Sequence, residues 1–219
     1  MSKIAVVFGA TGLIGRELVS QLIDNEEYHK VLIFNRRSQN YENSKIEELI
    51  IGEQYFESIS GNVIADELYC CIGTTMKKAG SKAAFQKVDY EIPVWLAKTA
   101  EKNGINKLLI VSSVGANPKS KNFYLSTKGK MEQEVLKYNI PEIYFFRPSM
   151  LLGQRDESRF SEMMGQKAMK LTGFLMKGPL KKYKAIPAPV VAQAMQKVAK
   201  KDYSRHFFES DELWKIAKS

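Results

Sequence analysis

The run A-V-V-F-G-A-T-G-L-I-G, residues 5 to 15, constrains this chain more than any other stretch. Its first half reads as a buried strand over Ile4 to Phe8, and the apolar periodicity that follows reads as a helix over Leu13 to Asp24. Gly9, Gly12 and Gly15 fall between the two. Glycine there permits a tight turn and lets backbone approach a pyrophosphate at the positive end of the helix. The spacing is G-x-x-G-x-x-G rather than G-x-G-x-x-G. Its place after the first strand of an alternating series makes dinucleotide binding the expectation.

The alternation continues along the chain. Val31 to Phe34 reads as a second strand, Glu48 to Ile51 as a weaker third, Leu68 to Ile72 as a fourth, Leu108 to Ser112 as a fifth and Ile143 to Phe146 as a sixth. Helical patterning covers Ala83 to Asn103, with Pro93 marking a break or a new first turn, and Tyr124 to Tyr138. Strands alternating with helices imply right-handed crossovers and a parallel sheet covered on both faces, the doubly wound α/β class. At 219 residues one domain accounts for residues 1–219. After Pro148 the rhythm changes: Phe160 to Met176 and Val190 to Lys200 read as helices, His206 to Glu209 as a short strand and Asp211 to Lys218 as a final helix. Residues 149–185 are expected to form a small cap on the substrate side.

Composition narrows the classes. A hydrophobic content of 44% suits a soluble globular protein. No apolar run reaches the roughly 18 residues of a membrane span. The first residues pass directly into a strand pattern with no separate n-region and cleavage site, so no secretory signal and a cytoplasmic location are expected. Cys70 and Cys71, adjacent on a strand, point to opposite faces and are read as reduced thiols. With His29 and His206 the only histidines, no structural zinc is expected. Of the formal charge of +9, residues 163–219 hold 12 Lys and Arg against 4 Asp and Glu, 12 − 4 = +8. Such a bias attracts anions or makes a solvated helix surface, and with no nucleic-acid motif beside it no nucleic-acid partner is expected.

Three further stretches carry chemistry. The second strand ends F-N-R-R-S, residues 34 to 38, where an acid would accept bonds from an adenine ribose. Asn35, Arg36 and Arg37 supply no acid, and arginine suits a 2′-phosphate, so NADP(H) is favoured over NAD(H). The fifth strand ends L-L-I-V-S-S-V-G-A, residues 108 to 116, which places Ser112 or Ser113 at the ligand-binding edge of such a sheet. A tyrosine four residues before a lysine occurs twice, as Tyr41 with Lys45 and as Tyr124 with Lys128. On a helix the ammonium then sits near the phenol and lowers its pKa, as a proton donor to a carbonyl requires. Tyr41 lies in a polar stretch and is read as a surface residue; Tyr124 follows the strand bearing Ser113 and is the candidate.

G-A-T-G-L-I-G, S-S-V-G-A, Y-L-S-T-K and F-R-P-S-M-L-L-G together resemble the extended or atypical short-chain dehydrogenases/reductases with NAD(P)-binding Rossmann folds. Within them, C-I-G-T-T-M-K-K-A-G-S-K and the following V-D-Y resemble the Tat-interacting-protein-like oxidoreductases and their bacterial relatives. The resemblance covers nearly the whole chain. It implies a pyrophosphate turn at Gly9, Thr11, Gly12, Leu13 and Ile14, a 2′-phosphate site at Arg36 and Arg37, and a ribose edge at Cys71, Ile72, Gly73 and Thr74. It also implies catalytic Ser113, Tyr124 and Lys128, the last two touching cofactor as well, and a loop beside nicotinamide at Pro148, Ser149 and Met150. Many classical members place a relay asparagine near Asp89, where this chain carries an aspartate, read as capping or bracing its helix rather than as catalytic.

The implied activity is hydride transfer between nicotinamide and a small carbonyl or alcohol substrate. Two other readings remain open: an NADP(H)-sensing or partner-binding protein with little catalysis, and a nucleotide-sugar epimerase or dehydratase, for which the chain is short. Arg155, Asp156, Glu157, Arg159, Met163, Met164 and Phe174 line a substrate pocket in one reading and form a salt-linked loop and core-facing helix in the other. Helices 83–103 and 124–138 suit a homodimer face, and a monomer is equally compatible.

Overall fold

Four of the six residues in the first strand, β1 (Lys3–Phe8), are buried, and they feed two different cores. Ala5 and Val7 join one apolar cluster while Val6 and Phe8 join the other. Alternation within a continuously apolar strand is the signature of a sheet covered on both faces. In the computed structural model, residues 2–51, 57–152 and 178–219 are described. The helix expected over Phe160 to Met176 and the pocket candidates from Arg155 to Phe174 lie outside them.

The strands are β1, β2 (Tyr28–Asn35), β3 (Ile46–Ile50), β4 (Glu67–Cys70), β5 (Lys107–Val111), β6 (Glu142–Arg147), a short β7 (Leu151–Leu152), a short β8 (Ile186–Pro187) and β9 (Phe207–Glu209). Seven of them, among the described residues, form one sheet in the order β3-β2-β1-β4-β5-β6-β9, every neighbouring pair parallel. Among the described residues three helices cover one face: α1 (Leu13–Ile23), α6 (Ala188–Ala199) and α7 (Ser210–Lys218) bring Leu18, Leu22, Val191, Met195 and Leu213 to the first cluster. On the other face α4 (Ile92–Lys102) and α5 (Phe123–Val135) bring Leu96, Ala97, Met131 and Val135 to the second. Each such buried aliphatic or aromatic side chain contributes roughly 1.5–3 kcal/mol. The chain leaves β1 toward β2 and β3, then returns to β4 on the opposite flank. The resulting switch point lies between the carboxyl ends of β1 and β4, where sheets of this class bind ligands.

Two local departures from expectation matter for the site. The helix expected over Ala83 to Asn103 is interrupted: α3 (Lys82–Gln86) runs into a π-helical turn, Lys87–Glu91, before α4 begins. Pro93 stands in the first turn of α4 and has no N–H to return to the preceding turn. The chain widens instead, with Ile92 N–H bonding five residues back to the Lys87 carbonyl. In addition, a short helix α2 (Met76–Ala79), capped by the Thr75 hydroxyl, lies between β4 and α3, where no element is expected from the sequence.

Candidate active site

The glycine turn is built by close approach. Gly12 N–H donates to the Gly9 carbonyl at 3.0 Å, and Gly9 adopts φ +84°, in the left-handed region that favours glycine. A Cβ on Gly15 would stand 2.1 Å from the Gly9 oxygen, so any side chain there pushes α1 off the turn. Gly12 caps α1 without a side-chain acceptor. The first-turn N–H groups and the positive helix end are thus offered to an anion rather than to the protein.

Beyond this turn a cleft of about 660 Å³ runs across the carboxyl ends of β1, β4, β5 and β6. The glycine turn lines it with Thr11, Gly12, Leu13 and Ile14, and the end of β4 with Cys71, Ile72, Gly73 and Thr74. Ser112 and Ser113 after β5, Tyr124 and Lys128 on α5, and Pro148 and Ser149 after β6 complete the far half. Gly9 lies beneath the turn rather than in the lining. Arg36 and Arg37 are exposed after β2 and Met150 is 59% exposed after β6, all three outside the lining. Arg16, Lys78 and Asp89 line the cleft although sequence reasoning did not place them there. The short spacing of Arg16 from Gly12, one helical turn, was the one signal available for it.

The most buried charged groups in the cleft wall are a pair. Lys128 Nζ lies 2.8 Å from Asp89 Oδ1, with the side chains 3% and 1% exposed. The other Asp89 oxygen, Oδ2, accepts the Thr74 N–H at 2.9 Å. Burial alone would pull the Lys128 pKa down, but the charge of Asp89 and then that of Tyr124 outweigh it and hold the ammonium above its ordinary value. Tyr124 is half-buried, its ring 5.6 Å from that of Phe85. Ser113 Oγ makes only a long contact, 3.4 Å, to the Val114 carbonyl, and the buried Ser112 Oγ has no partner among the described residues. Burial pushes the Cys70 thiol up to about 11 and raises Cys71 as well, so neither supplies a thiolate near neutral pH.

At the other end, Glu48 on β3 organises the loop that carries the arginines. Its carboxylate accepts from Asn35 Nδ2 at 2.6 Å, Ser38 Oγ at 2.7 Å and Gln39 N–H at 3.0 Å. Burial would raise Glu48, but these bonds win and hold it below the ordinary carboxylate value. The competing pair is structural: Lys45 Nζ donates to the carbonyls of Ile23 and Asn25 at 2.7 and 3.1 Å, tying off the end of α1. Tyr41 is half-buried against the core rather than on the surface, and burial raises its phenol pKa.

A profile of the HIM1 family matches residues 21–179. The mitochondrial protein FMP52 of Candida albicans is 34% identical over 69% of this chain and 69% of its own. The rat protein HTATIP2 is 29% identical over 89% of this chain and 80% of its own. Among solved structures, the Bordetella bronchiseptica enzyme WbmG, in complex with NAD and UDP, superposes with a TM-score of 0.69 at 10% identity, covering 99% of this chain and 78% of that one. The fold is therefore Rossmann-like. These sequence relatives are fungal and mammalian, so they lend nothing to the expected bacterial kinship. The expectation of a cytoplasmic location is overturned, because FMP52 proteins at up to 34% identity are named mitochondrial. With the profile spanning well over half of its length, the chain belongs to the HIM1 family.

Proposed function

We propose that this protein is an NADP(H)-dependent oxidoreductase that moves a hydride to or from a small carbonyl or alcohol at a site formed by Ser113, Tyr124 and Lys128. The observation that carries the reading is the single cleft: Tyr124 and Lys128, a helical turn apart on α5, open onto the same cavity as the uncapped glycine turn. The residues present fit a dinucleotide. Gly9 and Gly15 have no room for a Cβ, and the first turn of α1 offers N–H groups where a pyrophosphate needs donors. Thr11, Gly12, Leu13 and Ile14 would hold the pyrophosphate, Cys71 to Thr74 a ribose edge, and Pro148 to Met150 the nicotinamide side. Arg36 and Arg37, exposed beside the cleft, would meet a 2′-phosphate, and the Glu48 network would hold their loop in place.

When bound, the nicotinamide supplies the hydride chemistry. The chain's own part is to manage one proton and one developing charge. Tyr124 gives its phenolic proton to the alkoxide oxygen, the Lys128 ammonium stabilises the phenolate left behind, and Ser113 donates a hydrogen bond to the same substrate oxygen. Tyr124→Phe tests this in a screen of small carbonyls with NADPH. Turnover should fall by roughly 10²–10⁴-fold, the usual worth of a general acid, with NADPH affinity near wild type. Surviving turnover removes Tyr124 from the chemistry. NADPH binding with no turnover on any carbonyl would favour the sensing reading.

A further inference from the structure

We propose that Asp89 is a positioning residue of this cleft: one carboxylate anchors the Lys128 ammonium in the wall and ties it to the Gly73–Thr74 loop on the cofactor side. The inference rests on the cleft being a dinucleotide site and goes beyond it, because it assigns a task to a group outside the Ser113, Tyr124 and Lys128 set.

Three observations carry it. First, the two oxygens of Asp89 are divided between two functional elements: Oδ1 lies 2.8 Å from Lys128 Nζ and Oδ2 accepts the Thr74 N–H at 2.9 Å. Second, Asp89 sits in the middle of the π-helical turn Lys87–Glu91, a local widening that changes which way its side chain is presented. Such single turns are frequent at functional sites. Third, the pair is left open toward the cofactor loop by a glycine. A Cβ on Gly73 would stand 3.5 Å from Asp89 Oδ1 and 4.0 Å from Lys128 Nζ, so the charged atoms lie directly against that backbone. Stability does not account for such a pair, since a buried ion pair is commonly no better than apolar packing of the same volume.

The chemistry follows from the charge. Beyond its 2.8 Å ion pair with Asp89 Oδ1, the ammonium keeps N–H donors for ribose hydroxyls and the Tyr124 side. The titratable groups facing Lys128 are Asp89 from the π turn, Tyr124 from its own helix and Cys70 from β4. Of these Asp89 is the carboxylate, in ion-pair contact with the ammonium at 2.8 Å. An asparagine in its place would keep the shape and the burial but remove the compensating charge. Burial is then opposed only by Tyr124 and Cys70, and Lys128 gives up its proton at lower pH.

The test is Asp89→Asn, read in two ways. Competitive acetylation of the ligand-free protein with acetic anhydride across pH 6–10, followed by mass spectrometry of the Lys128 peptide, reports how much of that lysine is unprotonated. NADPH titration over the same pH range reports the consequence for binding. In wild type, Lys128 should stay unreactive until the alkaline end. In Asp89→Asn, its acetylation at pH 8 should rise by about tenfold or more, one pKa unit being tenfold, and NADPH affinity should fall off at lower pH than in wild type. Asp89→Glu, which keeps the charge, should recover most of both. A folded Asp89→Asn with wild-type acetylation and binding profiles overturns the proposal, as does Asp89→Glu behaving like Asp89→Asn. Should Asp89→Asn fail to fold, the wild-type profile still decides, because a Lys128 that acetylates freely near neutral pH is not held charged by Asp89. Wild-type protein that never binds NADPH defeats the dinucleotide reading itself, and the acetylation arm identifies that failure separately.

Discussion

Two buried carboxylates at opposite ends of the same sheet meet a lysine each and do different things with it. At the amino end Glu67, 1% exposed, pairs with Lys3 at 2.9 Å and accepts the hydroxyls of both Tyr28 and Tyr69. Burial and then the Glu67 charge push both phenols above their ordinary pKa, so they stay donors. The carboxylate is saturated, and its lysine reaches water. At the carboxyl end Asp89 holds Lys128 in the wall of a cleft of about 660 Å³, beside a serine hydroxyl with no partner among the described residues and an uncapped helix. A buried charge on its own therefore says little about function. What separates a brace from a site is whether the hydrogen-bonding capacity around it is closed or left facing a cavity.

The largest effect expected from this contrast is on stability. Glu67→Ala takes the acceptor from two buried hydroxyls, leaving them their 3.3 Å contact with each other, and half-frees a lysine that is 31% exposed, so it should cost about 3 kcal/mol in urea unfolding. NADPH binding should be unchanged, because nothing in the Glu67 network lines the cleft. A Glu67→Ala protein that unfolds normally but loses NADPH would erase the distinction between the two ends.

The two ends also differed in how far they were legible. The glycine turn and the order of strands and helices follow from periodicity and local turn chemistry, which act over a few residues, whereas the choice of Ser113 over Ser112 beside Tyr124 and Lys128 is what the family resemblance implies. The start of β2 at Tyr28 rather than Val31 was hidden, because Tyr28 is held by a bond to Glu67, far away in sequence. Asp89 read as part of an ordinary helix, since no hydrophobic period announces a π turn and its partner Lys128 lies on another element. Glu48 was invisible for the same reason: its role depends on β3 lying beside β2 and not on its neighbours in the chain. Arg36 and Arg37 read as a 2′-phosphate site from their place after β2, but their exposure, outside the cleft lining, is a tertiary fact.

That exposure makes the adenine end the place for a smaller effect. Arg36→Ala combined with Arg37→Ala should weaken NADPH by roughly tenfold, about 1.4 kcal/mol, through lost charge-assisted bonds to a 2′-phosphate, and leave NADH almost untouched. Isothermal titration with both cofactors measures it. Equal losses for the two would mean that the arginines support the loop and do not read the phosphate.

The central claim is that the cleft at the switch point holds a nicotinamide dinucleotide with a 2′-phosphate. Fluorescence titration of the wild-type protein with NADPH and, separately, with NADH addresses it most directly. Saturable binding of both, tighter for NADPH, is the result predicted. Saturation by neither would contradict the claim and leave the glycine turn as a structural joint between β1 and α1.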